Sequence, residues 1–292
     1  MIYLLTLCFA ATPVASLERL FADALRYDRP AFRYLAPDAA EQSAARELVT
    51  ALARLASEPA AIDACRDMAR RVGLALTFAR DRAGDVWTLH EPLAKRAGSG
   101  FYAFRQGGSR WCVQAPHAFF DQGTGEIALA VFAAVRGQSL FTNTVHRYTP
   151  SPSGERGAID VAHAEGTLFL AATEGLLAAT TPAVVQLHGF GDTEGLAPDI
   201  AAVVSNGSAR PPATGLAARV RGALARQLAP ERVLLYGVDA DVLGATTNIE
   251  GRRVRAAHGE FVHIEMSGAL RRRLLANDAE PLAAALREAL QP

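Results

Sequence analysis

Histidine and glutamate residues stand at or near the ends of three apolar segments of this 292-residue sequence. One segment runs into His117, a second runs into His188, and a third carries Glu265 among apolar neighbours. In open α/β sheets, ligands bind beyond the carboxyl ends of the strands. We therefore expect three separate strands to bring these side chains to one rim of a sheet.

These residue types are the ones that a hydrolytic zinc site uses. Such a site takes three ligands from histidine and carboxylate side chains and leaves a fourth position for water. His117 and Asp121 lie on one short loop, close enough to chelate one ion, and His188 is the predicted third ligand. A metal hydrolase also needs a base that does not bind the metal. Glu265 fits this role, because it could take a proton from water and pass it to the leaving amine.

Each of these residues also has a structural interpretation. A histidine at a strand end is often only a hydrogen-bonded structural residue, and this applies to both His117 and His188. Asp121 could cap the helix that follows it. Glu265 could be paired with His263, which shares its strand face by period-two alternation. The metal prediction therefore depends on the joint pattern of residues.

A hydrolase of this type also needs a cation for the developing oxyanion or for a substrate carboxylate, and arginine suits both. Arg147 follows a predicted strand and is the first candidate, with an ordinary surface arginine as the alternative. Arg271 and Arg272 are weaker candidates. Asp160 and His163 are three residues apart, so they could line the same pocket or form a competing metal pair. A capping aspartate beside a buried histidine would also explain them.

Other catalytic motifs do not occur in the sequence. It contains no GxSxG nucleophile elbow and no GxGxxG or GxxxxGK[ST] phosphate loop. The cysteines Cys8, Cys65 and Cys112 form no CxxC pair, so a zinc–thiolate site or a redox dithiol is not expected. Cys65 and Cys112 could form a disulfide if the protein is exported, and the sequence leaves this question open.

Charge and hydropathy restrict the partners and the location. Thirty basic residues balance thirty acidic ones, so neither nucleic acid nor an anionic membrane is expected as a partner. Residues 1–16 are apolar but too short to span a bilayer, and no integral membrane segment is predicted. They fit a secretory signal peptide, although no Lys or Arg precedes the apolar run; a buried first strand or helix is the alternative. Its removal would indicate a periplasmic or secreted protein, and its retention a cytoplasmic one.

The periodicity predicts an α/β protein. Helical spacing extends from 17 to about 71, and residues 101–105 and 110–114 have the pattern of a hairpin with a Gly-Gly turn. Beyond the hairpin, strands are predicted at 139–145, 183–187, 200–204, 232–236 and 260–266, and helices at 126–135, 167–178, 216–228 and 280–290. This alternation is typical of a mixed, largely parallel central sheet flanked by helices. The N-terminal helices are predicted to form an additional layer.

Several short motifs carry a family resemblance. They are Pro116-His117 with Asp121, Leu187-His188-Gly189, and Ile264-Glu265 followed by Leu270-Arg271. Together they resemble the zinc carboxypeptidase superfamily, and within it the branch of N-formylglutamate amidohydrolases and poly-γ-glutamate hydrolases. The segment around Asn248 also resembles a substrate loop of that branch. The resemblance covers roughly residues 113–275.

The resemblance implies Zn²⁺ on His117, Asp121 and His188, with Glu265 as the general base. The usual acidic ligand of the superfamily is a glutamate closer to the histidine than Asp121 is, so Glu126 remains a substitute for Asp121. Weaker candidates for substrate binding are Arg271, Asn248 and His163. The predicted organisation is a possible signal peptide at 1–16, a helical layer at 17–80, and a zinc-carboxypeptidase-like α/β domain at 81–292.

The sequence thus predicts a zinc-dependent hydrolase of an amide bond. The expected substrate is a peptide, an isopeptide or an N-acyl amino acid with a free carboxylate, and cell-wall or polyglutamate material if the chain is exported. One alternative is a non-catalytic binding protein on the same fold. Another is a hydrolase with a different metal set, such as Asp160 and His163 with His117.

Overall fold

A ten-stranded sheet organises the computed structural model, which describes residues 14–26, 34–54, 59–92, 98–150, 159–191, 195–209 and 214–291. Its strands are β1 (Ala15–Ser16), β2 (Ala75–Asp81), β3 (Gly84–His90), β4 (Phe101–Phe104), β5 (Ser109–Ala115), β6 (Gly137–Thr142), β7 (Ala183–Gly189), β8 (Ile200–Ser205), β9 (Arg232–Leu235) and β10 (Glu260–Met266). Across the sheet they run in the order β1-β2-β3-β4-β6-β5-β7-β10-β8-β9.

The four central strands β6, β5, β7 and β10 all run parallel to one another. Two edge pairs, β1–β2 and β8–β9, are also parallel, whereas β2–β3, β3–β4, β4–β6 and β10–β8 are antiparallel. The predicted mixed α/β sheet is therefore confirmed. Because the carboxyl ends of parallel strands meet at one edge, the four central strands direct the residues that follow them to the same rim.

Helices cover both faces of this sheet. On one face lie α1 (Leu17–Ala24), α4 (Thr124–Ala134), α6 (Leu216–Leu228), α8 (Gly268–Ala276) and α9 (Glu280–Ala289), and on the other α2 (Ala39–Arg54), α3 (Pro59–Arg71), α5 (Leu168–Ala179) and α7 (Ile249–Ala256). Successive strand side chains point to opposite faces. Accordingly Val113 of β5 belongs to the first hydrophobic core and Cys112 to the second.

The N-terminal helices are divided between the two faces. Helix α1 packs Phe21 against Phe101 of β4, edge to face with a centroid distance of 5.3 Å. Helix α2 instead packs on α5, where Thr50 donates a hydrogen bond to the carbonyl of Gly175. A Cβ atom at Gly175 would lie 2.5 Å from the carbonyl oxygen of Arg46, so this close approach requires glycine. The proposed boundary between residues 17–80 and 81–292 stays a prediction.

The prediction of a hairpin between residues 101 and 114 is wrong. Strand β6 lies between β4 and β5, so these two strands are not neighbours. The turn at 106–108 instead crosses the beginning of β6, where Arg105 N donates to Gln138 O at 2.8 Å and Ser109 N donates to Arg136 O at 2.7 Å. A Cβ at Gly108 would come within 2.8 Å of the β6 backbone, so the glycine pattern reflects this crossing. The non-local pairing of β6 outweighs the local turn signal.

The two cysteines in the described part of the chain are free and buried. Cys65 lies on α3 and Cys112 on β5, and both belong to the same hydrophobic core. Burial raises the pKa of the Cys112 thiol to about 12. These thiols are therefore packing residues.

The predicted signal peptide lies almost wholly outside the described residues, which begin at residue 14. Its cleavage, and the location that depends on it, stay predictions. None of the helices in the described ranges combines the length and the apolar character needed to cross a bilayer.

Candidate metal centre

The candidate centre lies at the rim where the four central parallel strands end. His117 and Asp121 follow β5, Arg147 follows β6, His188 lies at the end of β7, and Glu265 lies near the end of β10. In the parallel ladder, Glu265 is registered directly against His188. The topology therefore brings together the three predicted ligands, the predicted base and the first-choice arginine.

A single turn of chain after β5 places His117 and Asp121 on the same side. The backbone N–H groups of Phe120 and Asp121 both donate to the carbonyl of His117 at 2.8 Å. Residues four apart in such a turn are neighbours, so the long spacing still allows chelation. Glu126 lies one turn later, in the first turn of α4, where its side chain is exposed. Asp121, and not Glu126, therefore faces the histidines.

Three buried ligand atoms converge at this point. The Oδ2 atom of Asp121 lies 3.3 Å from Nδ1 of His188 and 3.6 Å from Nδ1 of His117. All three side chains are at most 6% exposed. Tetrahedral zinc with ligand bonds near 2.1 Å separates its ligand atoms by about 3.4 Å. The two measured separations match this value.

The second nitrogen of His117 determines its tautomer. Nε2 lies 2.7 Å from Oδ1 of Asp160, and Nδ1 lies 3.2 Å from Nη1 of Arg147. A guanidinium group can only donate, so Nδ1 must present its lone pair and Nε2 must carry the proton. Arg147 also donates to Asp160 through Nη2. A carboxylate that holds the outer nitrogen of a histidine is the usual support of a metal ligand.

Burial and hydrogen bonding act differently on the three pKa values. Burial by itself lowers the pKa of His117, but the neighbouring carboxylates of Asp121 and Asp160 prevail and raise it. Burial is the largest influence on His188 and lowers its pKa to about 4, so this ring is neutral at pH 7. Burial raises the pKa of Asp121, but the adjacent ring nitrogens of His117 and His188 prevail and hold it below the usual range. An ionised carboxylate thus faces a neutral imidazole.

This donor set fits a divalent cation. Nδ1 of His117, Nδ1 of His188 and Oδ2 of Asp121 can each offer a lone pair to one cation, which for His117 would replace the contact with Arg147. Two imidazole nitrogens and one carboxylate oxygen are a ligand set that zinc accepts when one position stays open. His117, Asp121 and His188 are the residues that would hold it.

Glu265 lies beside these ligands without belonging to the same group of three. It is partly buried, and Oε1 lies 3.6 Å from Nε2 of His263, which shares its strand face. The ring of His263 lies 4.5 Å from that of His188. His188, His263 and Glu265 form a second group with ligand-type atoms within 4.8 Å, and His117, Asp160 and His163 form a third.

These side chains line one small cleft of about 220 Å³. Its walls are His117, Arg147, His163, His188, His263 and Glu265, together with residues 245–248. The guanidinium of Arg147 lies 5.4 Å from the ring centroid of Phe120 and 5.5 Å from that of Tyr148, two largely exposed side chains. The cleft is smaller than the 300–1,000 Å³ that drug-sized ligands occupy.

The three weaker candidates have different surroundings. His163 is 43% exposed at the cleft wall, with Nδ1 3.2 Å from Oδ1 of Asp160. Asn248 also lines the cleft, but its side chain caps α7 by accepting from Gly251 N at 2.8 Å. Arg271 donates to the carbonyl of Met266 at 2.6 Å. The guanidinium of Arg271 is therefore engaged with the backbone at the end of β10.

A buried polar group beneath the ligands was not identified from the sequence. It consists of Gln114, Gln186 and Glu250, each fully buried. Gln186 contacts the outer nitrogen of His188, with Oε1 3.0 Å from Nε2. The available signal was one glutamine in each of two strands that are otherwise apolar, since buried polar side chains need partners.

Known proteins provide a comparison for this fold and this site. No family model and no curated protein matches the chain. Solved structures do match, with low sequence identity. An N-formylglutamate amidohydrolase from Ralstonia eutropha is 15% identical, with a TM-score of 0.44 over 66% of this chain and 97% of its own.

Two further solved structures show the range of these similarities. A zinc-free YndL structure is 17% identical, with a TM-score of 0.42 over 66% of this chain and 92% of its own. A metallo-carboxypeptidase from Burkholderia cenocepacia is 13% identical, with a TM-score of 0.42 over 78% of this chain and 68% of its own. The similar structures thus include the carboxypeptidase and N-formylglutamate amidohydrolase classes that the motifs resemble. At these identities the likeness concerns the fold alone.

Proposed function

We propose that this protein is a zinc-dependent hydrolase of an amide bond. The observation that carries the proposal is the arrangement of His117, Asp121 and His188. Two Nδ1 atoms and a carboxylate oxygen face one another, while each Nε2 atom is held by an oxygen acceptor. Such outer contacts fix the ring orientation of metal-binding histidines.

The remaining residues supply the other requirements of hydrolysis. A bound zinc ion polarises a carbonyl group and lowers the pKa of water. Glu265 stands next to His188 at the cleft, where its carboxylate takes a proton from the attacking water and delivers it to the leaving amine. Arg147 lines the same cleft and provides positive charge for the oxyanion or a substrate carboxylate.

The size and charge of the cleft indicate the substrate class. A cleft of about 220 Å³ accepts one residue-sized group at a time, and Arg147 favours a group with a carboxylate. We therefore propose a peptide, an isopeptide or an N-acyl amino acid with a free carboxylate next to the cleaved bond. Cell-wall or polyglutamate material enters this class if the N-terminal segment exports the chain.

The test combines metal analysis with hydrolysis by the purified full-length chain. The wild type is expected to bind one zinc ion and to hydrolyse members of a panel of N-formyl, N-acetyl and γ-glutamyl amino acids. His188→Ala is expected to lose both properties, and Glu126→Ala, at the exposed position in α4, is the matched control that keeps both. A wild type that binds no stoichiometric zinc would refute the proposal.

A second ligand set deserves the same test, because His117, Asp160 and His163 also lie within 4.8 Å of one another. Asp160 is already engaged by Arg147 and by Nε2 of His117, which leaves it less able to bind an ion. Asp121→Asn is therefore expected to abolish zinc binding. Asp160→Asn is expected to weaken it by about 10–100-fold, the usual effect of losing an outer contact. The reverse order would assign the metal to the second set.

A further inference from the structure

The nitrogen of His188 that points away from the candidate centre is held by a glutamine. Nε2 of His188 lies 3.0 Å from the atom assigned as Oε1 of Gln186. An amide has a donor end and an acceptor end of nearly the same shape. The end that Gln186 presents therefore decides which nitrogen of His188 carries the proton. Two hydrogen-bonded chains, each beginning at a backbone group, determine that end.

The first chain begins in α5. Thr173 donates its single hydroxyl proton to the carbonyl of Phe169 at 3.1 Å. It can then only accept from Gln114, whose Nε2 lies 3.1 Å away. The other end of Gln114 is therefore its oxygen, which lies 3.0 Å from Gln186. Gln186 must donate through Nε2 here, so its oxygen points toward His188.

The second chain begins at the N-terminus of α7. The backbone N–H of Gly251 donates to Oδ1 of Asn248 at 2.8 Å and caps the helix. The amide nitrogen of Asn248 consequently faces Gln186 and donates to its Oε1 at 2.6 Å. This chain shares no residue with the first except Gln186. Both assign the same orientation to the Gln186 amide.

The hydrogen-bonding capacity of Gln186 is fully used. Oε1 accepts from Asn248 and from His188, while Nε2 donates to Gln114 and, at 3.4 Å, to Oε2 of Glu250. The side chain is completely buried, where an unmatched polar group is costly. A flip of this amide would place donors against donors and acceptors against acceptors. The orientation is therefore a fixed property of the fold.

We propose that Gln186 is a positioning residue that keeps the proton of His188 on Nε2 and directs its Nδ1 lone pair toward Asp121 before any metal binds. The role rests on the proposed function, because it concerns His188 as a metal ligand. In the other tautomer, an Nδ1–H group would point at the Asp121 carboxylate across 3.3 Å. A metal ion would then have to displace that proton, which weakens binding.

The test compares three variants in the full-length chain. Gln186→Leu removes the acceptor, Gln186→Glu keeps an acceptor oxygen, and Gln138→Leu is a matched control. Gln138 is a glutamine of β6, which β5 separates from β7, and its Nε2 donates to the carbonyl of Arg110. The ¹⁵N shifts of the His188 ring in metal-free protein at pH 7 report the tautomer, with His188→Ala identifying the signals. Competition with a chelator gives the dissociation constant for zinc.

Gln186→Leu is expected to move the proton of His188 partly or wholly to Nδ1 and to raise the dissociation constant for zinc about 10–100-fold. Gln186→Glu and Gln138→Leu are expected to keep the wild-type tautomer. A Gln186→Leu variant with the wild-type tautomer and zinc affinity would overturn the proposal. If this variant does not fold, the double variant Thr173→Val with Asn248→Ala removes both anchors. A mixture of tautomers is then expected, and an unchanged tautomer overturns the proposal.

The same measurements distinguish failure of the proposed function from failure of the positioning role of Gln186. A wild type that binds no zinc refutes the metal hydrolase, whereas the ¹⁵N measurement on metal-free protein still tests the tautomer. A wild type that binds zinc, combined with a Gln186→Leu variant of unchanged tautomer and affinity, refutes only the positioning role. The two readouts therefore separate the two proposals.

Discussion

Two buried polar regions of the sheet differ in how their charges are arranged. At the β2–β3 side, Arg105 pairs with Asp81, and both side chains are at most 2% exposed. Asp81 also accepts from the backbone N–H of Ala83 at 2.8 Å. At the rim of the parallel strands, Oδ2 of Asp121 instead lies 3.6 Å from Nδ1 of His117 and 3.3 Å from Nδ1 of His188. The first region contains a buried pair of opposite charges, and the second gathers ligand atoms suited to a cation.

This difference distinguishes buried polar groups that stabilise the fold from buried polar groups that are suited to binding an ion. A buried ion pair has its two charges matched within the protein. A group of acceptors that converge on one point stays unfavourable until a cation or proton lies between them. Burial alone is therefore a poor guide to function in this fold, and the direction of the donor and acceptor atoms is a better one.

The largest effect is expected for Glu265→Gln at the rim. The amide cannot take a proton from water, so turnover of an N-acyl amino acid is expected to fall by about 10²–10⁴-fold. Zinc stoichiometry is expected to stay at the wild-type value, because Glu265 lies outside the group of His117, Asp121 and His188. Steady-state kinetics and metal analysis of the same preparation measure both properties.

A control for this substitution lies on the same strand. Glu260 lies at the amino end of β10, away from the rim where Glu265 lies, and pairs with Arg110 at 3.2 Å. Glu260→Gln is expected to leave turnover unchanged. Full activity in Glu265→Gln would remove this residue from the role of base, and loss of zinc would make it a ligand.

The rim could be predicted from the sequence because each central strand is a short apolar run with its polar residue at the end. Helix α6 and strand β10 have the predicted bounds, and the parallel sheet follows from the alternation of strands and helices. His117, His188 and Glu265 were placed together on this basis. The choice of Asp121 over Glu126 needed the backbone turn at His117, which the sequence does not show.

The supporting residues could not be predicted in the same way. Gln186 contacts His188 two residues along the same strand, β7. Its other partners lie on β5, on α7 and at the α7 N-cap, far apart in the sequence. The place of β6 between β4 and β5 is similarly non-local, and it makes the predicted hairpin wrong. Spacing reports periodicity along one element, whereas these contacts depend on which elements are neighbours.

A substitution in the Arg105–Asp81 pair is expected to change the stability of the fold and not the binding of metal. Arg105→Met leaves the buried Asp81 carboxylate without its cation, which is expected to lower the free energy of unfolding by about 3–5 kcal/mol. Zinc stoichiometry at 20 °C is expected to remain at the wild-type value while the protein is folded. Urea denaturation followed by circular dichroism measures the first quantity.

An exposed ion pair between β2 and β3 provides the comparison. Arg80 pairs with Asp85 at 2.5 Å, but both side chains are largely exposed. Arg80→Met is expected to leave stability nearly unchanged, because exposed pairs contribute little. Equal destabilisation by the two substitutions would show that burial does not set the strength of the Arg105–Asp81 pair.

The last prediction concerns Glu250, the buried carboxyl beneath the rim. Burial is the largest influence and raises its pKa to about 8, and Asp160 adds to the rise, while its own backbone N–H and Gln186 oppose it. The folded state therefore keeps a proton that the unfolded state releases near pH 4.5. This contribution to stability is complete below pH 4.5 and is lost as the pH rises to about 8, with a slope of about 1.4 kcal/mol per pH unit.

Glu250→Gln mimics the protonated carboxyl and removes this proton linkage. The difference in unfolding free energy between variant and wild type is expected to move in favour of the variant as the pH rises from 5 to 8. All other titrating groups are shared and cancel in the difference. Glu126→Gln, at the exposed site on α4, is the matched control. A flat difference for Glu250→Gln would mean that this carboxyl is ionised in the folded protein, and that Gln186 donates to an anion.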